Sequence, residues 1–84
     1  MRAIILAVQN GRHRFACETD DGLCAVFLQL AGPVVEPGDI VEGEVLSLGA
    51  QTLDLAGEAC RVIGESAMLS RADALALLRG SGPL

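Results

Sequence analysis

The sequence predicts an all-β domain, a small five-stranded barrel with a short C-terminal α-helix. Three observations lead there. Turn signals recur at Asn10-Gly11, Asp20-Asp21-Gly22, Pro37-Gly38-Asp39, Leu48-Gly49-Ala50 and Ala56-Gly57-Glu58, and they divide the chain into short apolar-rich runs. Between Arg14-Phe15-Ala16-Cys17 and Cys24-Ala25-Val26-Phe27-Leu28-Gln29-Leu30, the Asp-Asp-Gly tract forms a hairpin turn, because Asp and Gly tolerate positive φ while the flanking residues suit a pleated surface. After residue 69 the pattern becomes helical, opened by Ser70.

The strands are expected at 2–9, 13–19, 23–30, 40–48 and 51–63. The first, Arg2-Ala3-Ile4-Ile5-Leu6-Ala7-Val8, is apolar and ends at Gln9-Asn10-Gly11. It carries one positive charge and no small-residue cleavage site, so it is expected to be a buried strand and not a secretory signal. The fourth and fifth contain the clearest alternation, Val41-Glu42-Gly43-Glu44-Val45-Leu46-Ser47-Leu48 and Thr52-Leu53-Asp54-Leu55, the period of a half-solvated strand. The fifth is long enough to bend or break at Gly57, where a strand glycine marks a bulge. Glu42, Glu44 and Asp54 then form a solvated face.

The third strand is apolar on both faces from Leu23 to Leu28, so its outer face must be covered or must bind something, and a cover is the expected reading. The C-terminal segment supplies a cover. Ser70 caps a helix over 71–79, with Asp73 three positions on and Gly80 as terminator. Its apolar face is expected to carry Ala72, Leu75, Ala76 and Leu78, broadened by Ala74 and Leu77. About nine residues make no stable helix alone, so it must pack on the barrel, and surplus apolar surface at Leu75, Leu77 and Leu78 is the candidate protein interface. The domain plan is a barrel over 1–65, the helical segment over 66–80 and a flexible end over 81–84.

Composition narrows the function. Of 84 residues, 51% are hydrophobic, supplied by Ala, Leu and Val with two Phe and no Trp or Tyr. A chain this short buries about 60–65% of its unfolded surface and allows one core. Eleven acidic residues against six arginines, with no lysine, give a net charge of −5, a field that repels phosphate backbones. No apolar run approaches the roughly 20 residues needed to cross a bilayer. Three cysteines do not describe a disulfide framework, so a reducing cytoplasm is the expected location. Catalysis has little to use, with one histidine and neither tyrosine nor lysine. His13 and Cys17 lie about 13 Å apart on a strand, too far for a common metal, and Cys24 and Cys60 lack ligand spacing. All three thiols are expected to be buried and unreactive, with no cofactor and no metal.

Over residues 3–55 the order of motifs resembles the cold-shock domain, a five-stranded barrel of the oligonucleotide-binding class. The matching residues are Phe15, Asp20-Asp21-Gly22, Val26-Phe27-Leu28-Gln29-Leu30 and Glu36-Pro37-Gly38-Asp39-Ile40-Val41-Glu42-Gly43-Glu44-Val45. The last block is shared with S1-like barrels. The resemblance implies the scaffold, and the departures fall on the binding residues. Where the family's first strand carries lysine, tryptophan and phenylalanine, this chain has Leu6-Ala7-Val8. Gln29 stands for a histidine and Leu30 for a phenylalanine. Base stacking on aromatics contributes about 1–3 kcal/mol per base, so losing most of the platform removes orders of magnitude of affinity.

What remains for single-stranded DNA or RNA is Arg12, His13, Arg14, Phe15, Phe27 and Gln29, with Arg12-His13-Arg14 in a loop that binds ligand in such barrels. If Thr19 pairs with Leu23, Phe15 and Phe27 share a face, as either a two-ring platform or a core pair. The expected function is a non-catalytic cytoplasmic module that binds a protein partner or a second copy of itself, and no membrane. A weak single-strand binder is the alternative, and an enzyme or ligand carrier would need a pocket with convergent polar groups. Burial of the two rings separates the first two.

Overall fold

A computed structural model describes residues 1–9, 11 and 13–79; Arg12, Gly80 and the expected flexible end 81–84 lie outside the described residues. Six strands and a helix follow in order: β1 Arg2–Gln9, β2 Arg14–Thr19, β3 Cys24–Ala31, β4 Ile40–Glu42, β5 Gly49–Leu55, β6 Glu58–Leu69 and α1 Arg71–Leu78. They close into an antiparallel barrel of order β1-β2-β3-β6-β5-β4, with β4 returning to β1. The all-β barrel with a C-terminal helix stands as expected, with six strands in place of five.

The first three strands match their expected limits to within a residue because turn chemistry punctuates them. At Asp20-Asp21-Gly22 the Gly22 amide donates to the Thr19 carbonyl at 3.0 Å, Gly22 takes φ 84°, and the Thr19 amide donates to the Leu23 carbonyl at 2.9 Å. This three-residue turn fixes the β2–β3 register and sets Phe15 directly opposite Phe27. In β1 a bulge at Leu6 shifts the pairing from Ile5↔Cys17 to Ala7↔Ala16. Ala3, Ile5 and, after the bulge, Val8 face the core, while Leu6 and Ala7 turn outward together.

The added strand comes from two corrections. The expected strand 40–48 survives only as β4, because Gly43 bends the chain at φ 148° and the Ser47 amide closes a turn on the Glu44 carbonyl at 3.0 Å. Val45 still reaches the core, so the alternation recorded burial without a strand. The expected strand 51–63 is a hairpin. Ala56 and Gly57 occupy its two-residue turn at φ 53° and 88°, and Leu55 pairs with Glu58. Both central residues are left-handed, as a type I′ turn requires, and Ala56 carries the steric cost of a Cβ there. Ala56→Asn is therefore expected to stabilise the protein by about 0.5–1 kcal/mol, read as a higher urea midpoint with unchanged slope.

Inside the barrel, Ile5, Phe15, Phe27, Val41, Val45, Leu53 and Val62 form the main core. A second cluster lies outside the wall, where Ala74 and Leu78 of α1 cover Ala16, Cys24 and Val26, flanked by Leu6, Ala7 and Leu69. This explains why β3 is apolar on both faces. Ala25 and Phe27 point inward, and Cys24 and Val26 lie beneath the helix. The cap forms as expected, with the Asp73 amide donating to Ser70 Oγ at 3.1 Å. The buried stripe differs from the expected one. It is Ala74 and Leu78, one turn apart, and Ala72 is exposed. The helix begins at Arg71, since Ser66 to Leu69, expected within the helical segment, continue β6 along β3.

Candidate functional site

The β1–β2 turn, the end of β3 and the loop after it meet at one end of the barrel, where an oligonucleotide-binding barrel would receive its ligand. A cleft of about 550 Å³ opens there, lined by Val8, His13, Arg14, Gln29, Leu30 and residues 31–35, with Phe15 at its base. The three helix leucines lie elsewhere, but His13, Arg14, Phe15 and Gln29, singled out from the sequence as nucleic-acid contacts, are thus brought together. Their chemistry is spent internally.

Phe15 and Phe27 are 1% and 0% exposed, with ring centroids 5.5 Å apart and planes tilted by 32°. They fill the core, and neither presents a free face to a base. Arg14 binds Glu65 of β6, with Nε 3.0 Å from Oε1 and Nη2 donating to Oε2 at 3.2 Å. The ion pair holds one hydrogen bond, from Nη2, and is partly shielded, so phosphate would have to displace a carboxylate already in place. Gln29 donates through Nε2 to the Pro33 carbonyl at 2.8 Å and to Cys60 Sγ at 3.5 Å, pinning the β3–β4 loop. His13 is exposed in a left-handed turn conformation at φ 55°. Arg12 lies outside the described residues.

On the helix, the three leucines separate. Leu78 is buried against the barrel, Leu75 is half-buried beside Ala7 and Val8, and Leu77 is 47% exposed. Of the expected protein-facing set, Leu77 offers the free side chain. Glu18 anchors the helix start by accepting from Arg71 Nη2 at 2.6 Å.

The catalytic inventory is equally constrained. Cys17, Cys24 and Cys60 are free and buried. Burial pushes the Cys17 thiol up to about 12, and it also raises those of Cys24 and Cys60. At neutral pH these are thiols, not thiolates. No group of His, Cys, Asp or Glu among the described residues is placed to hold a metal ion, and no described helix is long and apolar enough to cross a membrane.

The thiols make a specific pH prediction. A folded pKa raised above the unfolded value contributes stability that is fully present below the ordinary thiol range and is lost as pH rises toward the folded value. The chain contains neither lysine nor tyrosine, so thiols are the side chains that titrate between about pH 9 and 12. Urea midpoints are expected to fall steeply across that window. Cys17→Ala should reduce the slope, leaving the part due to Cys24 and Cys60, at a cost of about 1 kcal/mol at neutral pH.

Compared with protein-family models, with curated proteins and with solved structures, the chain finds no match in any of the three. Its class is therefore defined by its own geometry: a small closed β-barrel with one helix docked on the outside of the wall.

Sequence reasoning missed a second surface, on the opposite side of Pro33 and Val34 in the β3–β4 loop. Val34 is 77% exposed, and Ile40 is exposed beside it. The signal was present in Val34 itself, a β-branched residue within a Gly-Pro-rich loop that neither an apolar strand nor a turn requires.

Proposed function

We propose that this protein is a non-catalytic module on an oligonucleotide-binding-type barrel, that it works in the cytoplasm, and that it binds protein in preference to single-stranded nucleic acid. The observation that carries this reading is the burial of both aromatic rings. A stacking platform needs exposed faces, and the two phenylalanines close on each other inside the core. The Arg14–Glu65 pair and the net charge of −5 add to it, since both oppose a phosphate backbone. The buried neutral thiols and the lone exposed histidine support the absence of catalysis.

The test is a fluorescence anisotropy titration of labelled single-stranded DNA and RNA at low salt, where phosphate contacts are strongest. No binding is expected at high protein concentration. Binding that rises as salt falls and disappears in Arg12→Ala and Arg14→Ala would instead make the protein a weak single-strand binder of the cold-shock kind.

A further inference from the structure

We propose that the groove between the Pro33-Val34 segment of the β3–β4 loop and the β5–β6 hairpin is a docking site for a cationic, apolar segment of a partner protein, one that places leucine or valine beside arginine or lysine. The assignment rests on the protein-binding reading above and names its site.

The groove encloses about 500 Å³. Pro33, Val34, Ile40 and Leu55 give it an apolar lining, and Asp39, Glu42, Asp54 and Glu58 stand around them against the single cation Arg2. Val34 and Ile40 are exposed, and Ile40 pairs with the exposed Ile4 of β1, extending the apolar surface across two strands. On the far side of the wall α1 covers Ala16, Cys24 and Val26, while Leu30 and Met68 are exposed singly, without a ring of carboxylates among the described residues lining a groove around them.

Charge decides the occupant. Glu42 and Asp54 are directly opposite each other across β4 and β5, an arrangement of like charges that destabilises a sheet. Arg2 relieves one side only, with Nε 3.2 Å from Glu42 Oε2 in an exposed pair. Asp39 and Asp54 are held in place by accepting from the Glu36 amide at 2.9 Å and the Gly57 amide at 3.2 Å. Fixed carboxylates around an apolar floor suit a ligand that brings cations on either side of an aliphatic side chain. A second copy of this chain would bring a net charge of −5 to the same rim, so self-association is disfavoured by the field that attracts a basic segment.

Isotope-labelled protein is titrated at low salt with a capped peptide alternating leucine and arginine, and amide shifts are followed by NMR. A leucine–glutamate peptide and a single-stranded oligonucleotide serve as comparisons. Binding is expected with Kd on the order of 0.1 mM, with shifts confined to Val34, residues 38–42 and residues 54–58. Val34→Ser, at an exposed position and without adding charge, should weaken it by about threefold to tenfold, and Asp54→Asn and Glu58→Gln by about threefold each. Asp54→Asn preserves the acceptor for the Gly57 amide.

Shifts that map to Leu77 and the helix, or affinity unchanged by these variants, would overturn the groove while leaving a protein-binding module. Absence of shifts with either peptide would also overturn the groove. Shifts with the oligonucleotide alone would sink both the groove and the reading it rests on. Dimerisation that Val34→Ser weakens would make the occupant a second copy and overturn the basic partner.

Discussion

Phe27→Ala is expected to destabilise the protein by about 3–5 kcal/mol, the range for truncating a large aromatic in a packed core. A domain of this length has about 4–12 kcal/mol in total, so the variant is expected to sit close to unfolding at room temperature. The ring has no second aromatic neighbour to repack against except Phe15, directly across β2 and β3, and the protein contains no others. The loss exceeds area burial, because a tilted pair at this separation adds about 0.5–1.5 kcal/mol of its own. Urea unfolding measures the effect. Phe27→Leu should retain most of the stability, and a double-mutant cycle with Phe15→Leu should recover the pair energy. Near-neutral behaviour of Phe27→Ala would show that the ring does not fill the barrel.

Gly64→Ala is expected to cost about 2–3 kcal/mol, although it adds one methyl group and β6 is a strand that alanine could otherwise join. Gly64 pairs with Phe27 on one side and Gly49 on the other. A Cβ there would overlap the Ser47 carbonyl oxygen, lie 3.2 Å from Leu48 Cα and stand 3.3 Å from Phe27 Cε1. Two of these neighbours are backbone, which cannot turn aside as a flexible side chain does. The 43–48 turn would have to lift, and Val45 would leave the core with it. Thermal unfolding should show the loss as a fall of about 4–8 °C per kcal/mol. A Gly64→Ala variant as stable as the parent would mean that the turn does not press on β6.

The two substitutions meet where the sequence was least legible. Strands β1 to β3 and the Ser70 cap could be read directly, because each is set by residues within a few positions: an Asp-Asp-Gly turn, a serine before a helical pattern, an apolar run. The segment 40–63 depends on distant contacts. Val41 and Val45 are both fully buried, two inward points four residues apart that a straight strand would satisfy equally well. Only the bend at Gly43, whose amide donates to the Met1 carbonyl at 2.9 Å, separates strand from loop. At Ala56-Gly57 the break was legible and the full hairpin was not, since alanine is seldom the residue that accepts a left-handed turn. The candidate site divided in the same manner. Residue types placed Phe15, Phe27, Arg14 and Gln29 on adjoining strands. Their true partners, Glu65, Cys60 and the Pro33 carbonyl, come from β6 and the β3–β4 loop, beyond the reach of local pattern.

The return of β4 to β1 has one further consequence. Where β4 seals Arg2, Ala3 and Ile4 of β1 and Asp54 and Leu55 of β5, the sheet presents no long open edge, and an extended peptide finds only a short row to join. Recognition along this closed part of the barrel falls to side chains on the outside of its wall. The same closure shortens the template along which sheets rich in valine, leucine and isoleucine polymerise, in a chain that leaves Val34 and Ile40 in contact with water.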